Sequence, residues 1–241
     1  MTWLFVGLIG LCIGSFANVL IARLPEEKSI VYPASACPAC GNTLRWYHNI
    51  PLLSYLFLRG RCGFCGAKIS LRYPIVEALC AGFFLASAWK LGFGLNTLAA
   101  GTAFCLLLAL AVIDFEHMMV PDSLNFSALF FALLAGPFGW ENLTHALIIA
   151  GGLSLLRMGL GTLLKKEAMG EADIILGASM GALLGPEGAL WALFIAAVLA
   201  IFPALFRRRK GQEETPFIPF LGAATWIVFL FNQEIAALLG S

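Results

Sequence analysis

Uncharged, mostly apolar runs of about 18 to 20 residues recur along this chain, and each is long enough to cross a bilayer. That repetition leaves few ways to fold. Hydrophobic residues make up 60% of the 241 and charged ones only 12%, where a soluble domain carries about a quarter charged. The mean hydropathy of +0.88 agrees. The expected class is an all-α polytopic membrane protein with about eight transmembrane helices, at roughly 2–22, 73–90, 95–114, 123–138, 143–163, 172–186, 188–205 and 217–238. The start, Met1-Thr2-Trp3-Leu4, has no basic region and no small-residue cleavage site. It is expected to be a retained first helix.

The basic residues set the orientation. Arg23, Lys28, Arg45, Arg59, Arg61, Lys68 and Arg72 lie between spans one and two. Lys165 and Lys166 follow span five, and Arg207 to Lys210 follow span seven. With the N-terminus outside, all of these fall in cytoplasmic loops, as the positive-inside rule requires. Lys90 alone falls in an outer loop. Arg157 lies within span five, expected to snorkel or to pair with an acid. The expected organisation is a first helix at 1–22, a cytoplasmic loop domain at 23–72 and a membrane core at 73–241.

The loop holds Cys37-Pro38-Ala39-Cys40-Gly41 and Cys62-Gly63-Phe64-Cys65-Gly66. Two such knuckles about twenty residues apart match a structural zinc site. Cys37, Cys40, Cys62 and Cys65 are the expected ligands of a small zinc-ribbon-like fold. Disulfides are disfavoured in the cytoplasm. Four thiolates leave no open position for water, so the ion would staple a loop too short to fold on a core alone. Trp46, Tyr47, Leu53, Leu56 and Phe57 are unusually apolar for a loop and are expected to meet the membrane domain or the lipid interface. His48 is a weaker competitor for the metal. Cys12, Cys80 and Cys105 lie in apolar runs and are expected to pack.

Two acids sit where lipid gives way to water. Asp114 ends the uncharged run from Ala99 to Ile113, and Asp173 opens the run from Ile174 to Leu184. Acids at such positions are costly and usually functional. An N-cap role would account for Asp173, and equally for Asp122 after Pro121. Asp114 has no such account, because a helix C-terminus disfavours negative charge. Opposite helix fields at the two carboxyls predict complementary roles, one activating water and the other polarising a carbonyl. Gly177, Gly181 and Gly185, and likewise Gly152, Gly159 and Gly161, are expected to let helix backbones approach closely.

Taken together, these stretches resemble the bacterial type IV prepilin peptidases, leader peptidase/N-methyltransferases of the GxGD membrane aspartic protease group. The resemblance covers nearly the whole chain. It rests on Gly14-Ser15-Phe16-Ala17-Asn18-Val19 with Arg23 and Pro25, on both cysteine knuckles, and on Asn49-Ile50-Pro51-Leu52-Leu53-Ser54. It continues with Arg72-Tyr73-Pro74-Ile75-Val76-Glu77, with Asp114 followed by Pro121-Asp122, and with Gly170-Glu171-Ala172-Asp173. It implies catalytic roles for Asp114 and Asp173 at the cytoplasmic face of a bacterial inner membrane. It implies substrates that are type IV prepilins or pseudopilins of type II secretion, cut between glycine and phenylalanine, with the new amine methylated from S-adenosylmethionine.

Two positions depart from the pattern. Ala172 replaces the second glycine of GxGD, and Ile175 replaces a lysine, removing a cation from beside the pair. No glycine-rich nucleotide loop is visible, so the cofactor site is unassigned, with the 23–72 loop, Asn18 and Glu77 as candidates. Glu77, near the start of span two, could equally answer its helix end or pair with a nearby arginine. Glu26, Glu27, Glu116, Glu167, Glu171, Glu213 and Glu214 could receive a basic leader. Nothing points to nucleic acid. Two other readings stay open: a leader peptidase of the same fold without methylation, and a proton-coupled transporter, which would place its acids near mid-bilayer in repeated spans.

Overall fold

The computed structural model describes residues 1–136, 140–164, 170–209 and 215–239. Lys165, Lys166, Glu167, Lys210, Glu213 and Glu214 lie outside the described residues. The described chain is all helical with two isolated β-bridges and no sheet. The helices are α1 (Thr2–Arg23), α2 (Leu53–Phe57), α3 (Arg72–Leu91), α4 (Leu95–His117), α5 (Asp122–Ala135), α6 (Trp140–Leu164), α7 (Glu171–Arg209) and α8 (Ile218–Leu239). Among the described residues, α1, α3, α4, α6 and α7 are long and apolar enough to cross a membrane. α5 and the stretch Ile218–Phe231 of α8 are apolar but shorter.

The expected spans six and seven are joined in α7, which is broken at Gly185. Gly185 has φ 74, a left-handed value, and Pro186 follows it. Glycine takes that backbone without a Cβ penalty, and proline cannot carry the helix across it. A straight helix of 39 residues would be about 58 Å long. Yet Asp173 near its start and Arg207 near its end both lie within electrostatic reach of Asp114. The two arms therefore fold back on one another at Gly185. Gly185 makes this turn, and a Cβ added there would meet nothing within 4 Å, so its expected role in close helix packing is corrected.

α4 is the central helix, packed against α1, α3, α5 and α8. Its buried side runs from Thr97 to Asp114. Phe104 of α4 meets Trp226 at 4.7 Å and Phe229 at 4.9 Å between ring centroids, tying α4 to α8. Large side chains such as Leu155, Met158, Phe194 and Phe202 face outward, the surface lipid would cover.

Small residues set the closest helix contacts. A Cβ on Gly181 of α7 would lie 2.7 Å from the His145 carbonyl oxygen of α6, and one on Gly177 would lie 2.3 Å from Leu153 Cδ1. The same holds between α1 and α3. A Cβ on Gly10 would lie 2.7 Å from Ala81 Cα, and one on Gly14 would lie 2.8 Å from Glu77 Cα. A Cβ on Gly152 or Gly159 would meet nothing within 4 Å, so the expected close approach there is not made. The Gly10/Gly14 pair was the signal that the sequence reading passed over.

Candidate active site

Asp114 lies in the last turn of α4, which closes on Met118 in a left-handed conformation, with the Met118 N–H donating to the Asp114 carbonyl at 2.9 Å. The residue is only 7% exposed. Asp114 Oδ2 accepts the backbone N–H of Ile218, the first residue of α8, at 3.1 Å. Helix N-termini carry free amides that hold anions. The carboxylate thus ends its own helix but faces the start of another. This alters the expected picture of opposite helix fields, because both acids are held by backbone amides at helix starts.

Asp173 is the third residue of α7, not the cap residue. Asp173 Oδ2 accepts the N–H of Gly170 at 3.2 Å. A side chain reaching back to the amide that precedes its helix is half of a capping box. Asp122 likewise stands inside the first turn of α5, with Pro121 in the cap position and no side-chain capping bond. Asn125, fully buried on α5, donates from Nδ2 to the Ala172 carbonyl at 2.9 Å. It braces the residue next to Asp173, and the sequence reading missed it. Its signal was an amide inside an apolar helix, where an unpaired polar group is costly.

The structure brings Asp114 and Asp173 within electrostatic reach of each other, with Arg207 nearby. Arg157 Nη1 pairs with Glu171 Oε1 at 3.1 Å, settling its expected partner. Arg72 Nη1 pairs with Glu116 Oε2 at 2.6 Å, two residues past Asp114. Basic side chains from α3, α6 and α7 thus gather at the aspartate end.

The four knuckle sulfurs lie within 4.8 Å of one another. The knuckles repeat each other at an offset of 25 residues, Cys37 matching Cys62. Gly41 N–H donates to the Cys37 carbonyl at 2.8 Å and Gly66 N–H to the Cys62 carbonyl at 3.0 Å. Gly41 and Gly66 have φ of 71 and 72, which permits the tight reversal. Cys37 Sγ lies 4.0 Å from Cys65 Sγ. Sulfurs around a zinc at about 2.3 Å would be about 3.8 Å apart, so the cluster fits one tetrahedral metal. The Cys65 and Phe64 backbone amides lower the Cys62 thiol to about 6, the thiolate a metal needs. His48 is outside the cluster, edge-on to Phe64 at 5.2 Å.

Above the knuckles lies a cavity of about 730 Å³ between the loop, α1 and α3. Glu77 reaches it from α3 and is 8% exposed. Glu77 Oε2 accepts the Leu52 N–H at 2.8 Å. No arginine pairs with it among the described residues, correcting that expectation.

A helical assembly with long apolar spans, one buried and one half-buried carboxylate at one end and a four-cysteine loop defines a membrane-embedded protein with an acid pair and a metal-ready appendage. Residues 8–91 match the Bacterial Peptidase A24 N-terminal domain and residues 101–205 the Type IV leader peptidase family. The chain is 34% identical over 260 residues to the prepilin leader peptidase/N-methyltransferase of Pseudomonas putida, covering 95% of this chain and 90% of that one. It is 41% identical over 218 residues to the protein of that name from Myxococcus xanthus, covering 87% of this chain and 65% of that one. A Dichelobacter nodosus relative of the same name is 36% identical over 268 residues, covering 98% and 94%. No solved structure matches the chain. The chain belongs to the type IV leader peptidase family.

Proposed function

We propose that this protein cleaves the leader from type IV prepilin-like precursors and N-methylates the residue exposed. One observation supports the peptidase half: Asp114 and Asp173, distant in sequence, lie within electrostatic reach at one end of the helices. In this reading one carboxylate takes a proton from a water as it attacks the scissile carbonyl. The other, protonated, donates to the carbonyl oxygen. The protons belong to the pair, so neither acid owns a single role. The Gly170 and Ile218 amides hold the two side chains in place, which spares reorganisation during reaction.

The aspartate end faces the cytoplasm of a bacterial inner membrane, supported by the basic residues Arg72, Arg157 and Arg207 gathered there. Counting both arms of α7 gives eight crossings, with α1 as the first helix, 23–72 as the cytoplasmic loop domain and 73–241 as the peptidase core. Cys37, Cys40, Cys62 and Cys65 hold a structural zinc. Four thiolates complete the tetrahedron, so the ion shapes the loop and does not activate water. The precursor's basic leader reaches the site along the membrane face, and its hydrophobic segment stays in lipid. When bound, S-adenosylmethionine supplies an electrophilic methyl group to the new α-amine. That amine has a pKa of about 8, so the chain's task is chiefly to position it. The acids lie at helix ends, which disfavours a transporter with mid-bilayer proton relays.

The test is to incubate the purified protein with a synthetic precursor and S-adenosylmethionine, then weigh the product's N-terminal peptide. Cleavage before phenylalanine plus one methyl group is the expected result. Asp114→Asn and Asp173→Asn should each lower cleavage by roughly 10⁴-fold. Near-normal cleavage in both variants would remove the acid pair from the mechanism. Cleavage without any methylation would leave a leader peptidase alone.

A further inference from the structure

We infer that Arg72 and Arg157 are positioning residues for the acid pair, each bracing one aspartate's helix end through a glutamate two residues away. This rests on the peptidase reading above and names what holds its two carboxylates in register. The two arrangements match. Glu116, two residues after Asp114, pairs with Arg72 of α3 at 2.6 Å. Glu171, two residues before Asp173, pairs with Arg157 of α6 at 3.1 Å. Each arginine comes from a helix packed against the one that carries the aspartate.

Helix geometry makes such a pair a brace. Residues two apart on an α-helix point about 160° apart. Glu116 is therefore drawn toward α3 while Asp114 faces the Ile218 amide of α8. The last turn of α4 is gripped from both sides and resists rolling. It needs that grip, because the helix stops at once, at Met118 with a left-handed φ of 54. A carboxyl stands about 5–6 Å from its helix axis, so a roll of about 10° would carry Asp114 about 1 Å. A displacement of that size can cost about 10²-fold in rate. The start of α7 is gripped in the same way. Glu171 is drawn to α6, Asn125 of α5 holds the Ala172 carbonyl, and Asp173 takes the Gly170 amide.

The brace on Asp114 is the firmer of the two. The Arg72 and Glu116 side chains are 25% and 36% exposed, against 27% and 82% for Arg157 and Glu171. Arg72 also lies over the Tyr73 ring, 5.3 Å from its centroid. Asn18 of α1 in turn donates to the Tyr73 carbonyl at 3.1 Å, so α1 and α3 together anchor this brace. Partly exposed ion pairs add little to stability, so the contribution falls on geometry. Glu116 and Glu171 each face an arginine already, which leaves them poorly placed to receive a basic leader.

The experiment measures kcat and KM for cleavage of one precursor peptide by the full-length protein, with its zinc, in detergent. Arg72→Met and Glu116→Gln should each lower kcat about tenfold and leave KM nearly unchanged. The double variant Arg72→Met/Glu116→Gln should lose no more than either alone, because all three break one contact. Arg157→Met should cost less, within about threefold, since Glu171 is mostly in water. An unchanged melting temperature establishes that each variant is folded. Reversing the pair, as Arg72→Glu/Glu116→Arg, should recover most of the kcat that Arg72→Glu loses, which a misfolded variant could not do. A rise in KM alone would make Glu116 a leader receptor. That result, additive losses, or wild-type kcat in Arg72→Met overturns the brace while the peptidase reading stands. A wild-type protein that cleaves no precursor removes the peptidase reading and this inference with it.

Discussion

The contact between α6 and α7 positions Asp173, and Gly181→Ala tests it. A Cβ at Gly181 would lie 2.7 Å from the His145 carbonyl oxygen, against 3.4 Å for the near edge of ordinary contact. The obstacle is backbone, so it cannot swing aside, and the helices must part by about 0.7 Å. Displacement of a reacting group by about 1 Å can cost about 10²-fold in rate. Gly181 lies two turns from Asp173 on one rigid arm, so much of the shift reaches the carboxylate. The expected loss in cleavage rate is about 10- to 100-fold. Gly177→Ala clashes with Leu153 Cδ1, the far end of a flexible side chain, and otherwise meets Ile149 Cγ2 at an ordinary 3.5 Å. Its loss should be smaller, within about 10-fold. Gly152→Ala and Gly159→Ala meet nothing within 4 Å and should keep full activity. They should also gain up to about 1 kcal/mol from alanine's helix propensity. Initial rates on one precursor peptide, with thermal melting of each variant, give the series. A Gly181→Ala protein as active as Gly152→Ala would refute the claim that this contact sets the acid pair.

Other perturbations separate the parts of the molecule. Cys40→Ser, or removal of metal by a chelator, should abolish stoichiometric zinc and accelerate amide exchange across 35–69 while α4 to α8 exchange as before, because the metal organises the loop. Asn125→Asp turns a donor into an acceptor opposite the Ala172 carbonyl, and leaving that buried pair unmade should cost about 1–3 kcal/mol, read as a lower melting temperature and slower cleavage. Arg72→Met should change the melting temperature little, since a partly exposed ion pair contributes about 0.2–1 kcal/mol. Its effect should appear in the cleavage rate, because Arg72 holds Glu116 two residues from Asp114.

The helices were legible because bilayer thickness imposes a run length that composition alone reveals. Asp114 and Asp173 stood out for the same reason, as acids at the edges of runs that exclude charge. Glycine spacing was less decisive. It states that a backbone can be approached, not which neighbour approaches it, so Gly177 and Gly181 found α6 while Gly152 and Gly159 found nothing. At Gly185 the same spacing concealed a chain reversal, for which the following Pro186 was the better sign. The Ile218 amide on Asp114 joins residues 104 positions apart. No local pattern encodes such a contact, and it replaced the expected contrast between the two helix fields. Glu77 could be read as answering its helix end or as half of a pair with a nearby arginine. The fold sends Arg72 to Glu116 instead and leaves the carboxylate facing a cavity.

That exchange of partners bears on how two reactions share one substrate. The cleaved chain stays anchored in lipid by its hydrophobic segment, so its new amine moves within a short radius of the aspartates. Arg72 stands on the wall of the cavity and holds Glu116, two residues from Asp114. Only the neutral amine can attack the methyl group, and an α-amine with a pKa of about 8 gains that form as pH rises through neutrality. Cleavage needs no such deprotonation of the substrate. Methylation is therefore expected to rise with pH more steeply than cleavage, read as the ratio of methylated to cleaved product across a pH series.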